Sequence, residues 1–398
     1  MAIDIVRSRA ASPSGGFHGN LSQVRNDGPV TDMRDRQHAP QPDPSPFDDA
    51  PVEVAPISRR TVTLGFSLLA TAVLAAVALV VPTPYAMRSP GPTEDTLQRN
   101  LIQIEGARTY ESTGELRLTT VSVLGGPGYP MLAGQVIQGW LDPKRSVLPV
   151  EAIFPEATTE EQQKELSQAE MVSSQESATA AALTELGYDV PAVLDVAGTE
   201  PGSGADGKLS EGDVIVEFQG EPVGTYADLI DGLAETNPGD DVTLGVQRGE
   251  RTTNVDITTS GNGERAVLGV FIDPRYDFPV DVSIEIENIG GPSAGTMFAL
   301  GIIDKLTAED EANGKVIAGT GTMSPEGTVG PIGGIEQKLY GAVRDDAEWF
   351  LAPADNCAQV VGNVPAGLNV VKVATLAEAR DAVEQIGRGE GSDLPTCS

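Results

Sequence analysis

The sequence predicts an α+β fold carried on a single membrane anchor, and three observations predict it. Runs such as 114–123, 214–218 and 242–248 alternate apolar and polar residues, the period of half-buried strands. Segment 296–303 is apolar on every side until Asp304 and Lys305, the mark of a buried helix. Residues 61–81 run without a charge, long enough to cross a bilayer core as a helix.

The chain of 398 residues has room for two or three domains, and 40% hydrophobic content supplies real cores. The formal charge is −32, of which residues 1–60 contribute only −1. The remainder should stay soluble and repel nucleic acid, so no nucleic-acid partner is expected. Residues 1–58, rich in Pro, Ser, Asp and Gly, read as a disordered cytoplasmic tail. The anchor is placed at 59–82, with residues 61–81 in contact with lipid. A buried core helix or a cleaved signal are the alternatives. The run is long for a signal peptide, though, and no A-x-A site or lipobox cysteine follows it. Arg59 and Arg60 flank its start, and Arg88 is the one base near its other end. The expectation is a single-pass protein of the cell membrane, with the tail inside and everything after Val81 outside.

Segment 83–186 opens on a Pro-rich exit from the membrane, continues through the strand at 114–123 and ends in a long helix. Thr158-x-x-Glu161 reads as that helix's capping box, and it runs to Leu186 in one or two pieces. Segment 187–262 holds strand 214–218, a Gln-Gly turn, helix 226–235 and strand 242–248. In segment 263–388, strands are expected at 266–272, 280–286, 315–320, 349–352 and 369–373. Helices follow at 335–346 and after Thr375, the latter with Leu376, Ala379, Val383 and Ile386 inward. Residues 389–398 form a tail. Both cysteines, Cys357 and Cys397, lie beyond the anchor, where a disulfide can persist. They are expected to pair; separate thiols are the alternative.

The candidate chemistry lies between Gly290 and Lys338. Gly291, Pro292, Ser293 and Ala294 form a turn that feeds the buried helix, where free N–H groups favour a developing oxyanion. Taken alone, Ser293 reads as an ordinary helix cap. The only histidines, His18 and His38, lie in the tail, which leaves none for a Ser-His-Asp triad or a His-rich zinc site. A serine nucleophile here needs another base. Lys338, among Val329, Ile332, Ile335 and Leu339, can serve if burial lowers its pKa; otherwise it is a surface lysine at a helix start.

Gly291-Pro-Ser-Ala-Gly295, Thr320-Gly321 and Gly327-x-Val-x-Pro-Ile-Gly-Gly-Ile-x-x-Lys338 closely resemble the proteolytic domain of Lon proteases. The spacings of 45 residues from Ser293 to Lys338 and 18 from Thr320 to Lys338 resemble it too. The resemblance implies Ser293 as nucleophile, Lys338 as general base and Thr320 as a hydroxyl that holds the lysine amine. One position departs: main-type Lon proteases carry Asp where this chain has Gly290. Glu176-Ser-Ala-Thr-Ala-Ala-Ala-Leu183 resembles the helix that precedes the catalytic strands in that family. Segment 187–262 resembles a PDZ domain through Gly207-Lys-Leu-Ser-Glu-Gly-Asp-Val-Ile-Val-Glu-Phe-Gln-Gly-Glu-Pro-Val223. PDZ domains add an extended peptide to a sheet edge. The resemblance implies a carboxylate-binding loop around Gly187, Tyr188 and Val190, and a groove walled by the helix that carries Ile230.

The expected architecture is therefore a Lon-type proteolytic domain with an inserted PDZ domain, preceded by one transmembrane helix. No phosphate-binding Gly-x-x-x-x-Gly-Lys-Ser/Thr loop occurs. The expected activity is an ATP-independent serine endopeptidase without cofactor or metal, acting on proteins or peptides that the PDZ domain selects, including by their C-termini. Lon-like domains assemble into rings, so a homo-oligomer is expected by resemblance. The rival expectation is a catalytically silent PDZ scaffold, for which Gly290 is the sequence support.

Overall fold

The computed structural model describes residues 58–98, 100–126, 128–154, 159–262, 265–286 and 289–397. Residues 65–398 form one compact unit. The tail expected at 1–58 falls outside the described residues, apart from Ser58.

Helix α1, Arg59–Leu79, has no buried residue and a mean hydropathy of 2.3. Among the described residues it is the one helix long and apolar enough to cross a membrane. Then come strands β1 (Tyr85–Asp95), β2 (Ile102–Glu105) and β3 (Glu115–Leu124), helix α2 (Ala133–Trp140), strand β4 (Ser146–Pro149) and helix α3 (Glu160–Glu185). The start of α3 differs by one residue from the expected one. Thr159 Oγ1 accepts from the Gln162 N–H at 3.2 Å, and Gln162 Oε1 accepts from the Thr159 N–H at 3.0 Å. Glutamine closes a capping box as glutamate does, so the sequence offered two overlapping boxes. Thr158 itself lies outside the described residues. Rich in alanine and free of Gly and Pro, α3 runs unbroken for 26 residues.

The next elements are β5 (Ala192–Thr199), β6 (Val214–Phe218), helix α4 (Tyr226–Ala234), β7 (Asp241–Arg248), β8 (Arg251–Thr258) and β9 (Val270–Tyr276). They make an antiparallel sheet in the order β8-β7-β6-β5-β9. Leu194, Val196, Ile215, Leu229 and Leu244 fill its core. The tight turn after β6 uses Gln219 at φ 53° and Gly220 at φ 85°. Strand β9 corrects an expectation. The sequence reading gave 266–272 to the catalytic segment, but Ile272 pairs with Val196 and Tyr276 with Ala192. Gly269, at φ 70°, breaks the expected single strand in two.

Strand β10 (Asp281–Ile284) pairs antiparallel with β2 and leads toward helix α5 (Gly295–Leu306). Strand β11 (Val316–Gly319), helix α6 (Ile335–Arg344), strands β12 (Trp349–Pro353) and β13 (Asn369–Val373) and helix α7 (Leu376–Gly387) complete the fold. The second large sheet has the order β13-β12-β11-β3-β1-β4. Its first four strands are mutually parallel, and β1 runs antiparallel to both of its neighbours, β3 and β4. Strands from both sides of the β5–β9 segment thus share one sheet. Alternation along the strands sends Ile317 and Leu351 to one face, with Met297, Phe298 and Ile302 of α5. Ala318, Phe350 and Ala352 go to the other face, with Ile335 and Leu339 of α6. Helices α5 and α6 therefore approach the sheet from opposite sides. Cys357 and Cys397 are joined in a disulfide, with Cα atoms 5.0 Å apart.

Candidate active site

Ser293 lies in the turn before α5. Gly291, at φ 85°, makes that turn, and the helix cap is Ala294, which offers no capping side chain. The Ser293 hydroxyl is not spent on the helix; its Oγ lies 2.8 Å from Lys338 Nζ. The turn is fastened along its backbone. The Gly291 N–H donates to the Ser167 carbonyl at 2.9 Å, and Ser174 Oγ donates to the Pro292 carbonyl at 3.0 Å. The Ser293 carbonyl accepts from the Gly321 N–H at 3.0 Å and from Thr320 Oγ1 at 2.9 Å.

Lys338 arrives from the far side of the sheet's C-terminal end. Gly334, at φ 72°, starts α6, and Lys338 stands in its first turns with 2% of its surface exposed. Burial alone depresses its pKa to about 7, because a charged ammonium loses its hydration there. Thr320, fully buried at the end of β11, places Oγ1 2.8 Å from Lys338 Nζ. A hydroxyl has one proton, and Thr320 gives it to the Ser293 carbonyl. Toward the lysine it can only accept. One amine N–H is thereby fixed on Thr320, which orients the remaining nitrogen valences, including the lone pair of a neutral amine, toward Ser293.

Gly290 has a steric cause. A Cβ added there would stand 2.4 Å from Ser167 Oγ on α3. Ser167 Cβ and its carbonyl oxygen would follow at 3.2 and 3.3 Å, so a side chain fits only if the Ser167 hydroxyl turns away and α3 gives slightly. Beside the turn, a cavity of 330 Å³ is lined by Glu170, Ser173, Ser174 and Ser177 of α3 with Pro292, Thr322 and Met323. The sequence reading missed this wall. Its signal was present: Glu170, Ser173, Ser174 and Ser177 fall at helical spacing as a polar stripe.

A larger groove of 690 Å³ runs between α4 and β9, the edge strand of its sheet. Tyr226, Ile230 and Leu233 wall one side, and Leu268, Gly269, Val270 and Phe271 the other. Of the residues expected to bind peptide, Ile230 is here. Gly187, Tyr188 and Val190 are not among the lining residues. Gly187, at φ 81°, and Tyr188 close the C-terminus of α3, through Gly187 N–H to the Thr184 carbonyl and Tyr188 N–H to the Leu183 carbonyl. Val190 is buried with Ala180, Leu183 and Val280. The loop is a helix stop packed on the catalytic side. Val267-Leu-Gly-Val-Phe271, read from the sequence as part of one strand, instead bends at its glycine and lines the groove.

Comparison with known proteins agrees with both halves. Residues 170–259 match the PDZ domain family, and residues 286–385 match the Lon protease (S16) C-terminal proteolytic domain. The Lon protease of Azospirillum brasilense is 38% identical over 89 residues, 22% of this chain and 11% of that protein. Lon protease 1 of Sorangium cellulosum is 37% identical over 119 residues, 29% of this chain and 14% of that protein. The chain thus spans only a small part of the length of these relatives. Among solved structures, the PDZ domain of the SdrC-like protein from Listeria innocua is 21% identical, covering 20% of this chain and 92% of that one, with a TM-score of 0.19. The chain therefore joins a PDZ domain to a Lon-type (S16) C-terminal proteolytic domain in one mixed α/β protein.

Proposed function

We propose that this protein is a membrane-anchored, ATP-independent serine endopeptidase working through Ser293 and Lys338. The observation that carries the reading is a fully buried lysine, depressed to about 7, at 2.8 Å from a serine hydroxyl that caps no helix. Neutral Lys338 takes the Ser293 proton as Oγ attacks the peptide carbonyl. Backbone N–H groups at the start of α5 hold the oxyanion. The lysine ammonium then protonates the leaving amine, and water, deprotonated by the same lysine, releases the acyl group. Thr320 positions the amine. The cavity beside Pro292 receives a substrate side chain.

In this reading the PDZ module is an insertion in the proteolytic domain, since strands from both sides of it share one sheet. Its groove at Ile230 captures extended peptide along the free edge of β9. Helix α1 holds the protein in the cell membrane, with the catalytic part outside.

The test is cleavage of casein by the full-length chain in detergent micelles, without ATP. Wild type should cleave, whereas Ser293→Ala and Lys338→Ala should not. Cleavage by either variant would remove the proposed dyad. If the wild type also failed after addition of C-terminal peptides, the silent-scaffold reading would replace it. For the groove, Ile230→Glu should weaken binding of a fluorescent peptide with a free C-terminus while leaving the cleavage of short peptides unchanged.

A further inference from the structure

We infer that the face carrying α2 sits in the headgroup layer of the bilayer that α1 enters. The inference rests on the membrane reading of α1. The segment after α1 returns at once to the anchor's exit. The Ala133 N–H donates to the Val81 carbonyl at 2.9 Å, and Pro82 and Thr83 pair antiparallel with Leu132 and Met131. Gly134 packs on the last turn of α1, where an added Cβ would lie 3.2 Å from the Leu79 carbonyl oxygen. A helix of 21 residues is about 31 Å long, matching a hydrocarbon core of about 30 Å. Val81 then stands at the boundary, and the interfacial layer beyond it is only about 5–7 Å thick. Whatever is hydrogen-bonded to Val81 must lie in that layer.

The side chains suit it. Helix α2 turns Val136 and Gly139 inward and leaves Ile137, Trp140 and Leu141 outward. Trp140 is 65% exposed, Leu141 80% and nearby Tyr129 66%. A soluble face rarely shows a tryptophan and a leucine side by side in water, whereas the bilayer interface favours Trp and Tyr. Charge agrees modestly: from Val121 to Val150 the chain has Lys144 and Arg145 against Asp142 alone, and with Arg145 paired to Asp142 at 3.0 Å one positive charge is left over, in a protein of net charge −32. That local excess of base suits anionic headgroups. The docked face restrains the protein's rotation about its anchor and holds the proteolytic domain close to the membrane.

The two tryptophans, Trp140 and Trp349, make the test direct. Trp349 packs against the catalytic core. The full-length chain is reconstituted into vesicles of phosphatidylcholine and phosphatidylglycerol, with or without phosphatidylcholine brominated on its acyl chains. Brominated lipid should quench the wild type strongly and Trp140→Phe little, the difference being the emission of Trp140. Equal quenching of the two would overturn the inference, whether water or a second copy covers the face. Flotation of the same vesicles after alkaline carbonate separates the two readings. A chain that floats without Trp140 quenching keeps its anchor and loses the docked face. A chain that does not float loses both.

Discussion

Thr320 can only accept a hydrogen bond from Lys338, because its own proton is committed to the Ser293 carbonyl. The bond is stronger to an ammonium than to a neutral amine, so Thr320 both aims the lysine and holds its pKa up. Thr320→Val should lower kcat/KM about ten- to a hundredfold, the worth of one hydrogen bond to a charged group. It should also move the acid limb of the pH profile to lower pH, and Thr320→Ser should restore both. A purely structural threonine would change the rate without moving the limb.

Lys338 links activity and stability to pH with opposite demands. As the proposed base it must be neutral, so kcat/KM should rise with pH through about 7, where burial has placed its pKa. Its ordinary value is 10.5. Between those values the unfolded chain binds a proton that the folded one does not. Stability therefore falls as pH drops from about 10.5 toward 7 and then levels off. Lys338→Met should be inactive yet more stable than wild type at pH 7, by a few kcal/mol. That advantage should shrink at pH 9.5, which urea titrations at the two pH values would read.

At Gly290 the constraint is a second element. The clash with Ser167 Oγ predicts that Gly290→Ala pushes α3 off the nucleophile turn, costing about 1–3 kcal/mol of stability and most of the activity. Adding Ser167→Gly should restore much of both. If Gly290→Ala alone proved neutral, the close approach of α3 would not be the reason for the glycine.

These residues differ in how far the sequence disclosed them. Ser293 and Lys338 were legible because their chemistry is local: a Gly-Pro-Ser turn before an apolar helix, a Gly-Gly pair before the lysine, and no histidine left to compete. The buried α5 was legible because it is apolar on every side. What the sequence could not carry was pairing. The alternation in Val270–Tyr276 announces a strand but not that its neighbour is β5, and so the groove between α4 and β9 was not foreseen, and Gly187 and Tyr188 lie outside it. Gly290 stood out as a departure, but Ser167, which explains it, meets it only in the folded chain.

The disulfide between Cys357 and Cys397 closes a span of 40 residues. Loop-closure entropy for such a span corresponds to about 4 kcal/mol. The double variant Cys357→Ser, Cys397→Ser should lose up to that much stability, read as a lower urea midpoint. Its kcat/KM on short peptides should stay near wild type, since neither cysteine bonds to Ser293, Thr320 or Lys338. Loss of activity in folded protein would tie the C-terminal segment to catalysis instead.

The cavity beside Pro292 gives the last prediction, on substrate choice. Its polar walls are hydroxyls and one carboxylate, Glu170, which pairs with no base among the described residues, while Ala169, Pro292 and Met323 supply apolar ones. A wholly apolar side chain would gain contact with Pro292 and Met323 but would leave Glu170 desolvated and unpaired. A lysine or arginine would reach Glu170 with its cation and lay its stem against Pro292 and Met323. Peptides cleaved after a basic residue should therefore be preferred. Glu170→Gln should reduce kcat/KM for them by about fivefold, the value of roughly 1 kcal/mol for a solvent-accessible pair. Peptides cleaved after alanine or serine should be unaffected, and Glu170→Lys should turn the preference toward acidic residues. A library of peptides varied at the cleaved position reads all three. Unchanged preference in Glu170→Lys would mean that the substrate side chain lies elsewhere.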